Sequence, residues 1–255
     1  DNVDNEGNGY IDDLLGWDCS GTYGPDDNDP FPKPGVSPSG TWGHGTHVAG
    51  ILAATTDNEI GMASTSYNSK FISVKVSREN QTGDEPGISD GFAGILYAAK
   101  AGYYHDISSG SFAIINNSWG GGGFNSSENS TINTAYETYG AVIVAAAGNG
   151  NDATGGQEYS SHYPSSYTNC ISVCAIGCSY AWGNWATYHN TVDLAAPGEN
   201  IYSTVIGAGY DSWDGSSMAS PNAASAIGLL SIYHPDWNNF QLRSRIEESA
   251  DRRIY

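Results

Sequence analysis

Positive charge is what this chain has least of. Its 255 residues hold nine Lys and Arg against 28 Asp and Glu, a formal net charge of −19. So acidic a surface repels the phosphates of nucleic acids and of anionic lipid headgroups, and both are excluded as general partners. Long apolar runs are also missing. No stretch approaches the ~20 apolar residues that a membrane span needs, and no secretory leader is visible. Cysteine is sparse: Cys19, Cys170, Cys174 and Cys178. The last three recur at every fourth position of an apolar run that reads as strand. On one strand face they would lie ~13 Å apart at ~3.3 Å per residue, too far to bridge one another. The closer Cys-x-x-Cys spacing of zinc sites is absent. Two readings stay open, small buried apolar side chains or a disulfide to a partner such as Cys19.

What is present supports a packed core. Hydrophobic residues make up 39%, with 17 Tyr and seven Trp, so the chain is not disordered. Its length suits one domain spanning residues 1–255. The chain opens on a polar loop and stops on what reads as a helix end, so the expectation is one domain cut at both ends. Apolar runs at 71–76, 113–118, 141–147, 170–176 and 192–195 read as strands. Helical patterns cover 44–54, 91–101, 128–139, 217–233 and 239–250, with Ser89-Asp90 as a cap for the second. Unbroken apolar strands alternating with helices predict an α/β fold, a mostly parallel central sheet covered on both faces. Sites in such folds form at the carboxyl ends of strands, where Ser118 to Gly120 and Gly148-Asn149 fall.

Two segments carry chemistry. Asp214-Gly215-Ser216-Ser217-Met218-Ala219-Ser220-Pro221 places a Ser among small residues where a helix begins. His44-Gly45-Thr46-His47 opens another small-residue helix. A serine hydroxyl is scarcely ionised at neutral pH and needs a base to become a nucleophile, a role that fits His44 toward Ser217. Taken singly, a helix-capping His, a Gly-Ser-Ser helix start and a Gly-Asn turn after a strand are ordinary features. Their joint occurrence in this order is not. His47 stands four residues after His44, a spacing that suits a metal pair, but no third ligand is evident.

At these residues the chain resembles the subtilisin-like serine proteases, the subtilases. His44–Gly50 is similar to the family's histidine motif, Asn116-Asn117-Ser118-Trp119-Gly120-Gly121 to its substrate-binding strand and Ala145-Ala146-Ala147-Gly148-Asn149 to its oxyanion motif. Residues 196–201 resemble the segment before the serine motif, and Gly215–Pro221 that motif itself. The resemblance implies a subtilisin-like three-layer sandwich and a secreted serine endopeptidase acting on polypeptide substrates, with a propeptide or protein inhibitor as further partners. It implies Ser217 as nucleophile, within ~3.5 Å of a basic His44, and an oxyanion hole of the Asn149 side chain and the Ser217 N–H. Ser118, Trp119 and Gly120 would form one edge of the cleft and Ala147 and Gly148 the facing wall, favouring broad apolar selectivity. His162 would lie at the pocket floor and shorten it. The family's acid, expected before His44 in an Asp-Thr-Gly or Asp-Ser-Gly segment, is absent. Three readings follow: the acid precedes residue 1; Asp18 serves; or the protein is a catalytically degenerate subtilase-fold binding or scaffold protein.

The acidic opening has its own pattern. Asp4, Glu6 and Asn8 supply oxygens at positions one, three and five, with Gly9 at six, the Tyr10 carbonyl at seven, and Asp12 and Asp13 following. This approximates a Ca2+ loop without its terminal Glu, and predicts structural Ca2+. The competing reading is a solvated acidic turn.

Overall fold

The structure, a computed structural model, describes residues 1–20, 25–67, 69–81, 87–106, 110–150, 157–158, 162–180 and 185–251. The element order is β1 (Gly16–Asp18), α1 (His44–Ala53), β2 (Ser73–Lys75), α2 (Gly91–His105), β3 (Ile114–Asn117), α3 (Ser126–Asn133), β4 (Val142–Ala146), β5 (Gln157–Glu158), β6 (Ile171–Ile176), β7 (Thr187–Tyr188), β8 (Leu194–Pro197), β9 (Ile201–Val205), β10 (Gly209–Trp213), α4 (Ser216–Tyr233) and α5 (Asn239–Ser249).

Strands β3, β4, β6 and β8 form one sheet in that order, parallel throughout. Every residue of β4 and β6 is buried, because helices cover both faces. Alternate side chains of a strand point to opposite faces, and β4 shows both. Val142 and Val144 pack with Ala223, Ile227 and Leu242 of α4 and α5. Ile143 and Ala145 pack with Ile95 and Ala99 of α2 and with Ile132 beyond them. The result is the expected three-layer α/β sandwich. Burial on two sides removes the polar alternation that a half-exposed strand would show.

Helix starts follow local chemistry in two cases and depart from it in one. Asn125 caps α3 by accepting from the Ser127 and Glu128 N–H groups. Asn238 and Gln241 form a reciprocal capping box at α5. Asp90 does sit at the cap of α2, but its side chain accepts no cap hydrogen bond. Its carboxylate pairs instead with Arg78 at 3.5 Å. The predicted helix over 128–139 begins earlier and ends in a π turn, Thr134–Thr138.

Two features lie outside the sequence expectations. Within the acidic opening, β1 pairs in parallel with β2. Strands β9 and β10 form an antiparallel hairpin, Ile201 opposite Trp213 and Ser203 opposite Asp211. The hairpin lies on α1. A Cβ on Gly50 would meet both the Ser203 and Thr204 hydroxyl oxygens, so only glycine permits this approach. Those hydroxyls donate to α1 carbonyls, Ser203 to His47 at 2.7 Å and Thr204 to Thr46 at 2.9 Å. On its other side α1 meets α4 through Val48, Ile51 and Met218.

All four cysteines are free thiols. Cys19, Cys170 and Cys174 are buried, as small apolar side chains would be, whereas Cys178 is exposed. Burial pushes the Cys174 thiol up to about 11, which leaves it inert near neutrality.

Candidate active site

The two chemical segments open two helices. His44 is the first residue of α1 and Ser217 the second of α4. Val48 lies one turn beyond His44 on the same face, and Met218 follows Ser217 directly. Their contact, joined by Ile51, sets the N-terminal half of α1 against the first turn of α4.

The first turn of α4 is shaped by Pro221, buried inside the helix. Proline has no N–H, so the carbonyl four residues earlier loses its helical donor. That carbonyl belongs to Ser217. Ser118, just beyond β3, supplies the replacement: its hydroxyl donates to the Ser217 carbonyl at 2.7 Å. The Ser217 hydroxyl donates in return to the Ser118 carbonyl at 3.2 Å. One turn on, the Ser220 hydroxyl donates to Asn116 Oδ1 at 2.7 Å. The carboxyl end of β3 is thereby tied to the turn that carries Ser217.

Asn149, beyond β4, binds the same turn. Its Oδ1 accepts from the Ser216 N–H at 2.8 Å and from the Ser216 hydroxyl at 3.0 Å. The Gly148 N–H donates to that hydroxyl at 3.1 Å. With Oδ1 so held, the amide plane is fixed, and Nδ2 lies over Gly215, where a Cβ would be 3.3 Å away.

His44 stands in a largely apolar setting. Burial pushes its imidazole down to about 4, and the His47 ring adds to the shift. The fully buried His47 stacks flat on Trp213. The expected hydrogen bond between His44 and Ser217 is not made; the Ser217 hydroxyl is held by Ser118 instead. Nor does any carboxylate among the described residues hydrogen-bond to His44. Asp18 is committed elsewhere: its carboxylate meets the Lys75 ammonium at 2.8 Å, both side chains 8% exposed. It also accepts from the Ser20 N–H. Asp18 therefore does not serve as the acid.

Of the expected pocket residues, Gly120 and Gly148 flank His162. A Cβ on Gly120 would lie 2.2 Å from the imidazole and one on Gly148 3.2 Å from it, so the ring fills the space between two glycines. The loop behind it is anchored by paired backbone bonds between Gly121 and Tyr163. Burial lowers the His162 pKa, opposed by the Ala146 carbonyl. Ala147 is buried, its N–H bonded to the Val173 carbonyl. The Trp119 indole packs edge-on to Phe92 of α2, ring centroids 5.6 Å apart.

The family model of the subtilases matches residues 18–254. Thermitase of Thermoactinomyces vulgaris is 36% identical over 240 residues, 94% of this chain and 74% of that protein. A thermophilic serine proteinase of Bacillus sp. (strain AK1) is 35% identical over 82% of this chain and 47% of its own length. The chain thus spans about half the length of some curated relatives. Among solved structures, one of proteases from Pseudoalteromonas arctica is 28% identical, with a TM-score of 0.75 over 95% of this chain and 78% of that one. The chain belongs to the subtilase family. By class it is a serine endopeptidase, a hydrolase.

In this subtilase the acidic opening curls on itself. The Asp4 carboxylate accepts from the Gly7, Asn8 and Gly9 N–H groups at 2.7, 3.1 and 2.8 Å. Asn8 Nδ2 donates to Asp13 at 3.0 Å, both residues buried, and Asn8 Oδ1 accepts from the Tyr10 N–H. Asp12 turns away, to the amino group of Asp1 and the Asn2 N–H. Glu6 is exposed. No three His, Cys, Asp or Glu side chains gather as a cation-holding group among the described residues.

Sequence reasoning missed two parts of this subtilase site. One is the Ser118–Ser217 bond, although the four-residue offset from Ser217 to Pro221 signals an orphan carbonyl. The other is Trp213. The first is testable by a double-mutant cycle. Ser118→Ala should destabilise the protein by about 1–3 kcal/mol in denaturant unfolding, the cost of an unsatisfied buried carbonyl. In a Pro221→Ala background, where residue 221 regains its N–H, the same change should cost at least ~1 kcal/mol less. An equal cost in both backgrounds would show that Ser118 does not replace the proline's missing donor.

Proposed function

We propose that this subtilase is a secreted serine endopeptidase in which Ser217 attacks the substrate carbonyl and His44 is the base. The observation that carries this reading is the convergence of three chain segments on the first turn of α4. The β3 end arrives through Ser118, the β4 end through Asn149, and α1 through the Val48–Met218 contact. No described helix is long and apolar enough to cross a membrane, which agrees with secretion.

In the reaction the Ser217 hydroxyl rotates from the Ser118 carbonyl toward His44, a nanosecond side-chain motion. Oγ forms a bond to the carbonyl carbon as its proton passes to the imidazole. The carbonyl π pair moves onto oxygen, where Asn149 Nδ2 and the Ser217 N–H stabilise it. The Ser217 N–H lies in the first turn of α4, where backbone donors have no intrahelical acceptor. The tetrahedral species then breaks its C–N bond, and His44 returns the proton to the leaving amine. Water repeats the sequence on the acyl-enzyme, releasing the acid and restoring Ser217. A fluorophosphonate probe tests this. Ser217 should be labelled, Ser217→Ala should not, and the rate should hold down to an acidic limb near the His44 value of about 4. A protein that folds but is never labelled is the degenerate scaffold.

The pocket reading is specific to His162. With the imidazole between Gly120 and Gly148, the residue before the cut bond is small and apolar rather than aromatic. Polypeptides with Ala or Gly there are the favoured substrates, and an inhibitor or propeptide would present the same. His162→Gly should shift a peptide-library profile toward large apolar residues by about tenfold or more. An unchanged profile removes His162 from specificity.

We also propose structural Ca2+ in the acidic loop, held by Asp4, Glu6, Asn8, the Tyr10 carbonyl and Asp13. The donor set is all oxygen, as this hard cation requires. Asp4, Asn8 and Asp13 already share one hydrogen-bonded turn, while Asp12 is engaged outside it. A ligand that binds only the folded state adds about 2–3 kcal/mol at a hundredfold excess over its Kd. Chelation should therefore lower the melting temperature, and Asp13→Asn should abolish that response. The same melting curve with and without chelator leaves a solvated acidic turn.

A further inference from the structure

We infer that Trp213 is a positioning residue for His44: its indole, held by Asp211, stacks on both histidines of α1 and fixes the plane of the base beside Ser217. The inference rests on the protease reading for its meaning, though not for its test.

The stack is built from both sides. The His47 ring lies 4.4 Å from the Trp213 ring, centroid to centroid, with an interplanar angle of 3°. The His44 ring lies 6.3 Å from it at 22°, within the offset-stacking range. Trp213 is the last residue of β10 and precedes Ser217 by four, so the indole is placed by the same chain that delivers the nucleophile. Its rotation is restrained by Nε1 donating to Asp211 Oδ2 at 3.0 Å. The other Asp211 oxygen accepts from the Ser212 N–H at 2.8 Å. His47 Nε2 sits 3.1 Å from the Asp211 carbonyl. The hairpin is clamped to α1 by the Ser203 and Thr204 hydroxyls. Indole and imidazoles are thus registered by bonds on either side of the stack.

Face-on packing constrains the plane of an imidazole and leaves both ring nitrogens, which lie on its edge, able to carry or release a proton. That matters for His44, because no carboxylate among the described residues holds it. The titratable groups facing the stack are His47 from α1 and Asp211 from β10. Helix α4 contributes none, since its one titratable side chain is Tyr233 at its far end.

The test reads His44 directly by histidine-ring NMR titration of the whole chain, alongside fluorophosphonate labelling rates. In Trp213→Ala the His44 midpoint should rise by at least about one unit toward the ordinary imidazole value. Labelling should slow by about 10–100-fold, the usual cost of a displaced catalytic group. Trp213→Phe should restore both, because a flat ring again covers the imidazole. Asp211→Asn weakens the restraint on the indole and should move His44 in the same direction, by less. A His44 titration identical in wild type and Trp213→Ala overturns the inference, as does a slowed rate that Phe fails to restore. If the alanine variant does not fold, an unmoved His44 in folded Asp211→Asn overturns it. A wild type that is never labelled would sink the protease reading alone, because the NMR titration still decides the stack.

Discussion

A missing hydrogen governs the centre of this molecule. Pro221 cannot donate to the Ser217 carbonyl, and a buried acceptor left open would cost a substantial part of a protein's marginal stability. Ser118 closes that gap from another element. A defect local to one helix thus becomes a bond between the helix and the sheet. The backbone of Ser217 is located by β3 as much as by α4. Asn149 acts similarly from β4, through Ser216. Both strand ends therefore reach the first turn of α4 through hydrogen bonds whose removal would strand buried polar atoms. This is how a parallel sheet transmits its rigidity to a site at its carboxyl edge.

His44 is positioned by packing. Helix α1 lies between the β9–β10 hairpin and α4, and its small residues serve that confinement: Gly50 admits the hairpin hydroxyls, while Val48 and Ile51 meet Met218. The two halves of the site are consequently held by different physics. Ser217 sits in a polar, directional network, and His44 in an apolar, face-on one. At rest the Ser217 hydroxyl belongs wholly to the first of these networks, donating to the Ser118 carbonyl.

Much of this was legible in the sequence. The unbroken apolar runs at 141–147 and 170–176 announced strands buried on both faces, and β4 and β6 are that. The helix openings at His44 and Ser217 fell where the motifs put them. What escaped depends on partners distant in sequence. The hairpin reads as a mixed polar connection, because its Ser203 and Thr204 hydroxyls point into α1 and count as polar while buried use is made of them. Asp90 has the chemistry of a cap, but Arg78 competes for its carboxylate. Asp12 and Asp13 are neighbours with indistinguishable side chains, and only the fold separates the one facing Asn8 from the one facing Asp1. Trp213 carries no motif; its role follows from a register that the chain's order does not display.

Burial of the histidines links chemistry to stability, with opposite consequences in acid. His44 is held near 4, and His47 and His162 are also lowered, in each case chiefly by desolvation. A base that stays neutral remains able to accept a proton well below neutrality. The unfolded chain, however, takes up protons on the same side chains at about pH 6.5. Between that value and the depressed folded one, the unfolded state binds more protons, so folding stability falls as pH falls. For His44 the loss runs from about 6.5 down through about 4 and then stops, because below that the folded state is protonated too. The same desolvation therefore extends the chemical competence of His44 into acid while weakening the fold that positions it.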